Sequence, residues 1–211
     1  MSALLKTTVV EGKLFLREPM ASIFALLFPT ALLLLLGAVP ALREPSAEYQ
    51  GARFVDAWAP TALVMGLAVL GLQYIPGVIA TYRENGILRR MSTTPVHPAS
   101  VLVAQLIVAL SAAVASAALL ILTSWLVLDV PLPRNPIGFA VAFLVGFAAL
   151  LGVGLLVAAL APNARAANGI SLLVFMLVMF AGGVYLPRFL MPDFLVRMGD
   201  YTPPGVQALL D

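Results

Sequence analysis

Charged residues are scarce in this chain of 211 residues: Asp, Glu, Lys and Arg make up 10% of it, against 62% hydrophobic residues. Ordinary soluble domains carry about 25% charged and roughly 45–50% apolar residues. So few charges cannot cover a water-exposed surface, which excludes a soluble globule built on the same helices. Cysteine is absent, and with it disulfides and thiolate metal sites. The sole histidine, His97, sits between Pro95 and Pro98 and reads as a turn residue rather than a ligand or base. No HExxH, GxSxG or GxxxxGK(S/T) pattern occurs. No catalytic, cofactor-binding or metal-ligating residue is therefore assigned, and the chain has no visible means of hydrolysing ATP. The net charge of +2 gives no sign of nucleic-acid binding. The first twenty residues carry Lys6, Glu11, Lys13, Arg17 and Glu18 with no short apolar core before a small-residue cleavage site, so they do not read as a cleavable signal peptide.

What is present is a series of long charge-free runs: Pro19–Leu42, Ala57–Tyr82, Met91–Leu128, Asn135–Ala164 and Ala166–Pro187. A bilayer core about 30 Å thick needs about 20 helical residues to cross it. The runs do not alternate apolar and polar residues as barrel strands do, and backbone groups in lipid must be paired within the segment. The expected fold is an all-α integral membrane protein, a bundle of five transmembrane helices spanning about 19–42, 57–82, 99–128, 136–160 and 166–187. Lys and Arg favour the cytoplasmic side. With the N-terminus inside, the inner segments hold Lys6, Lys13, Arg17, Arg83, Arg89, Arg90 and Arg165, and the outer ones Arg43, Arg53, Arg134, Arg188 and Arg197. The densest basic cluster, Arg83 with Arg89 and Arg90, decides the orientation. Residues 188–211 then form an extracytoplasmic tail rich in proline, either a short interfacial helix or a frayed end.

Residues 1–18 are amphipathic, with Leu4, Leu5, Val9, Phe15 and Leu16 flanked by Lys6, Lys13 and Arg17, the pattern of a helix lying in the membrane interface. Pro29 and Pro76 each remove a helical hydrogen bond within a span; such kinks serve as hinges or as static packing features. The spans contain essentially no ionisable residue, which argues against a proton-coupled pump or a charged filter. Gln73 and Gln105 are their strongest polar groups and the candidate polar groups of a pathway. Small residues recur at spacing four, as in Ala112–Ser116 and Ser111–Ala115, and allow close helix contact.

The most specific stretch joins spans two and three. Arg83 to Met91 can form a short helix, with Ile87, Leu88 and Met91 on an apolar face and Glu84, Arg89 and Arg90 on a polar one. Thr93 and Thr94 before Pro95 stop it. By composition this is either a docking element or a basic loop that sets topology. The pattern Arg83-Glu84-x-Gly86-x-Leu88-Arg89-Arg90-x-x-x-Thr94-Pro95 resembles the permease subunits of ABC type 2 exporters, such as the daunorubicin-resistance and polysaccharide or lipid exporters of bacteria. Arg17-Glu18-Pro19 before span one and Pro29 within it are similar to the same family. So are the turn from Ala161 to Asn168 and the Gly182-Gly183-Val184-Tyr185-Leu186-Pro187 stretch.

The resemblance covers essentially the whole chain and implies a single permease domain, 1–211, in the bacterial plasma membrane. It implies that 83–95 is a cytoplasmic coupling helix seated in a separate ABC ATPase subunit, with Arg83, Glu84, Asn85, Gly86, Leu88, Arg89 and Arg90 as docking residues. Asn163 and Arg165 would form a second, smaller contact. ATP and Mg would be bound by the partner, and two permease copies, identical or not, would pair with two ATPases. The cargo would be a small hydrophobic or amphipathic molecule: a drug, a lipid or a lipid-linked glycan. Family members usually have six spans, and the last is expected to be absent here, since Asp211 follows Thr202-Pro203-Pro204 where a sixth would begin. The other classes open to the residues are an ATPase-independent secondary transporter or channel, which should show internal repeats or broken helices, and a non-transporting membrane scaffold.

Overall fold

The computed structural model describes residues 3–49, 51–91 and 99–181. Among these residues every regular element is a helix, and the one extended pairing is an isolated bridge between Pro45 and Arg53. The protein is an all-α membrane protein. Three of its helices are long and apolar enough to cross a bilayer: Phe54–Glu84 with 31 residues, Ala99–Leu128 with 30, and Pro136–Leu160 with 25.

In chain order, α1 is Ala3–Arg17, α2 Pro19–Leu26, α3 Phe28–Gly37 and α4 Phe54–Ala68. A π-helical segment, Val69–Tyr74, runs straight into α5, Ile75–Glu84. Then come α6 (Ile87–Met91), α7 (Ala99–Leu128), α8 (Pro136–Leu160) and α9 (Ala164–Ala181). The bounds of α7 and α8 coincide with the expected third and fourth spans. Leading cues at α8 are Asn135, whose side chain accepts from the Gly138 N–H at 2.9 Å, and Pro136 in the first turn.

The first run is not the single helix 19–42 that its composition suggests. It breaks at Leu27 and ends at Gly37, followed by a 3-10 turn over Pro40–Arg43. The cause of the break is Pro29, which has no N–H to give the Ala25 carbonyl. Ser116 of α7 supplies the missing donor: its hydroxyl lies 3.0 Å from the Ala25 oxygen and 3.3 Å from that of Leu26. The small-residue spacing of α7 is thus a packing seam, with Ala112 and Ser116 both buried.

The second span starts at Phe54, earlier than the expected 57, and takes Asp56 into the helix. Asp56 is tolerated there because Arg53 grips it with two bonds, 2.8 and 2.7 Å. The helix expected as a fifth span starts at Ala164 rather than 166, because Asn163 accepts from the Ala166 N–H at 2.8 Å and caps it. Its expected end at 187, the tail 188–211, the Gly182–Pro187 motif and the Thr93–Pro95 stop lie outside the described residues.

Helix α4, the π segment and α5 form the axis of the bundle. Of the apolar stretch of this helix, 67% is buried, against 39% for α7 and 33% for α8. Leu70, Leu72 and Ile75 are fully buried at its centre. An α-helical ladder cannot run through Pro76, which has no N–H to donate to Leu72. The chain widens instead, and the Ile75 N–H reaches the Leu70 carbonyl. At this level α8 approaches so closely that a Cβ on Gly154 would run into the Gly71 carbonyl oxygen. Only two glycines permit that backbone contact.

Candidate functional site

The last turn of α5 carries Tyr82, Arg83 and Glu84, and each points to a different neighbour. Arg83 donates from Nη1 to the Ala158 and Ala159 carbonyls at 3.0 and 3.2 Å, and from Nη2 to that of Ala161. These are carbonyls at the C-terminal end of α8, where the helix leaves them without backbone partners and a cation is favoured. Glu84 Oε2 accepts from the Ala164 N–H at 3.0 Å, at the N-terminus of α9, where an anion is favoured. One side chain closes the end of α8 and its neighbour opens α9. The residues 161–164 turn is held between them.

Helix α5 stops just beyond. The Asn85 N–H bonds the Thr81 carbonyl at 2.9 Å and the Gly86 N–H that of Arg83 at 3.1 Å. Gly86 has φ +65, the left-handed cap that glycine adopts without strain. The short helix expected over Arg83–Met91 is therefore divided. Arg83 and Glu84 belong to the end of the long span, and α6 begins only at Ile87. Asn85, Arg89 and Arg90 are exposed, as is Arg165 in the first turn of α9. The Leu88 side chain lies outside the described residues. The two loops that the sequence marks as separate contacts, around 83–90 and around 163–165, thus meet at one end of the bundle.

On the opposite side of Tyr82 lies α1. The Tyr82 hydroxyl donates to Glu11 Oε2 at 2.7 Å, and Gln105 Nε2 of α7 donates to the same oxygen at 2.6 Å. Glu11 is only 5% exposed and Gln105 only 1%. Burial pushes the Glu11 carboxyl above the usual carboxylate range, and the bonds from Tyr82 and Gln105 pull it back part of the way. Gln105 is thus bonded into the α1–α7 contact. Phe15 joins it from α1, its ring meeting that of Tyr74 edge-on at 5.0 Å. The outward face of α1 shows Leu5, Val9, Val10, Leu14 and Leu16.

Gln73 has a different setting. With α2, α3, α4 and α9 it lines a cleft of about 680 Å³ whose other walls are Phe24, Phe28, Leu32, Leu36, Phe54, Trp58, Met65, Val69, Leu172, Phe175 and Met176. Phe24 stacks on Phe28, ring centres 4.3 Å apart, and Phe54 on Trp58 at 6.5 Å. The cleft is apolar apart from Gln73, has the size of a small-molecule site, and suits an apolar or amphipathic guest with one hydrogen-bonding group.

Sequence reasoning named Arg83, Glu84 and Gln73. It missed Glu11 and Tyr82 as partners and the aromatic lining of the cleft. The available signal was a glutamate inside the apolar stripe that holds Leu4 and Phe15, in a protein whose third span carries one strong polar group.

A family model for ABC-2 type transporters matches residues 3–204 of the chain. No curated protein and no solved structure matches it.

Proposed function

Because the chain belongs to the ABC-2 type transporter family, it is the transmembrane component of an ABC transporter, and we propose that it is the permease of an ATP-driven exporter. In this reading five helices span a bacterial inner membrane, with the Arg83 end in the cytoplasm. The cargo is a hydrophobic or amphipathic molecule, and a separate ABC ATPase supplies the energy. Two copies of the permease assemble with two ATPases.

The observation that carries the reading is the grip of Arg83 and Glu84 on the 161–164 turn. Asn85, Gly86, Leu88, Arg89 and Arg90 present α6 to the partner. A push on α6 enters α5 directly, because only the turn at Gly86 separates them. Glu84 passes it to the first residue of α9, and α9 lines the cleft through Leu172, Phe175 and Met176. ATP-driven closure of the partner dimer would in this way reshape the wall against which cargo lies. Asn163 and Arg165 sit on the same surface and give the partner its second contact. The apolar cleft, with Gln73 as its polar group, fits cargo that is mostly hydrocarbon or aromatic.

The test is to purify the tagged permease from its own host in mild detergent. An ABC ATPase recovered in equal amount, with ATP-dependent efflux in vesicles that Glu84→Ala abolishes, supports the reading. Efflux that persists without any ATPase subunit sinks it.

A further inference from the structure

Glu11 sits where a carboxylate is expensive. It lies on α1 with 5% exposure, and two donors from two different helices converge on one of its oxygens. Apolar contact alone does not fix α1 on α7, because lipid tails are as apolar as the side chains between them and a helix gains little by choosing one apolar face over the other. Directional bonds do fix it. Burying a carboxyl without partners is costly, so the arrangement is held in the register where both bonds are made.

The register matters because of what adjoins it. Tyr82, which holds Glu11, is followed immediately by Arg83 and Glu84, which hold α8 and α9. Three consecutive side chains therefore bind α1, the end of α8 and the start of α9 to a single helical turn, next to the turn that presents α6. We propose that Glu11 is a positioning residue for energy transfer: through Tyr82 it locks the interfacial helix to the end of α5, so that α1, α5 and the 161–164 turn move as one body. The interfacial helix then acts as an anchor at the membrane surface for the segment the ATPase drives. This role rests on the reading that an ATPase drives the protein, but the lock itself is measurable without one.

The absence of cysteine allows two spin labels to be placed cleanly, at K13C on α1 and L160C at the end of α8, both exposed positions. Doubly labelled permease, diluted with unlabelled protein in lipid nanodiscs, gives the distance between them by pulsed electron resonance. The expected result is one narrow distribution, broadened about twofold or more by Tyr82→Phe and by Glu11→Leu. Glu11→Gln keeps it narrow, because its amide oxygen still accepts from both donors. Equal widths in Tyr82→Phe, Glu11→Leu and the parent overturn the lock. In the assembled complex, Tyr82→Phe and Glu11→Leu are expected to lower kcat for ATP per complex about threefold, leave KM for ATP unchanged and be matched by no loss in Glu11→Gln. A broadened distance with unchanged kcat overturns the role in energy transfer. A permease that recruits no ATPase overturns the exporter reading while the distance result still decides the lock.

Discussion

The axial helix ends twice in the same chemistry, an arginine with an acid close by, and the two ends do different things with it. At Phe54, Arg53 clasps Asp56 with two bonds and turns two further hydrogens to the Leu128 and Asp129 carbonyls, both at 2.9 Å. The acid neutralises the arginine, and the pair as a unit caps α7. At Glu84 the two charges are not spent on each other. Arg83 goes to the C-terminal carbonyls of α8, and Glu84 to the first N–H of α9. The first arrangement holds one neighbour still. The second ties two neighbours and the turn between them to the helix, so that displacement of the end of α5 displaces them as well. The residue types alone do not separate a clasp from a linkage; the partners do.

The sharpest test of that contrast is Arg83→Ala, which leaves the α8 carbonyls without their charge-assisted donor. ATP turnover coupled to transport should fall about tenfold, corresponding to ~1.5 kcal/mol, the low end for a hydrogen bond to a charged group. Turnover per assembled complex, measured in vesicles, checks it. Gly86→Val should come next. A β-branched residue at φ +65 costs ~1–2 kcal/mol, and coupled turnover should drop about fivefold while the permease still assembles. Arg53→Ala should separate the two ends: the unfolding free energy in detergent falls by ~1 kcal/mol, whereas turnover per surviving complex is unchanged. A loss of turnover matching that of Arg83→Ala would erase the distinction drawn here. An equally small effect is expected away from both ends. Ser116→Ala should lower detergent stability by ~1 kcal/mol, and the loss should vanish in a Pro29→Ala background, where the backbone regains its own N–H for Ala25.

The spans were legible because their signals are local. Hydrophobic length marks α7 and α8, and Asn135 with Pro136 marks where α8 begins. Pro29 marks a disturbance in the first run, but that a hydroxyl from α7 completes it is a fact of packing, and no pattern within residues 19–42 contains it. The same holds for Glu11. Amphipathicity assigns charges to the outer face, and only the approach of Tyr82 and Gln105 makes an inward glutamate tenable. Arg83 and Glu84 stood out as a motif, yet the motif carries no information on their inward bonds. A cation near the end of one helix and an anion near the start of the next become partners only once α8 and α9 are folded back beside α5.

The bend at Leu27 has a mechanical side. Ser116 has one hydrogen to give and two carbonyls within reach, those of Ala25 and Leu26. With two acceptors beside one hydrogen, either carbonyl satisfies the hydroxyl, so the bend at Leu27 does not depend on a single bond of exact geometry. Phe24 and Phe28 lie on either side of that bend, stacked on each other over the cleft. The wall of the cleft that carries Phe24 and Phe28 is thus set on a broken stretch of helix whose loose carbonyls are held from α7.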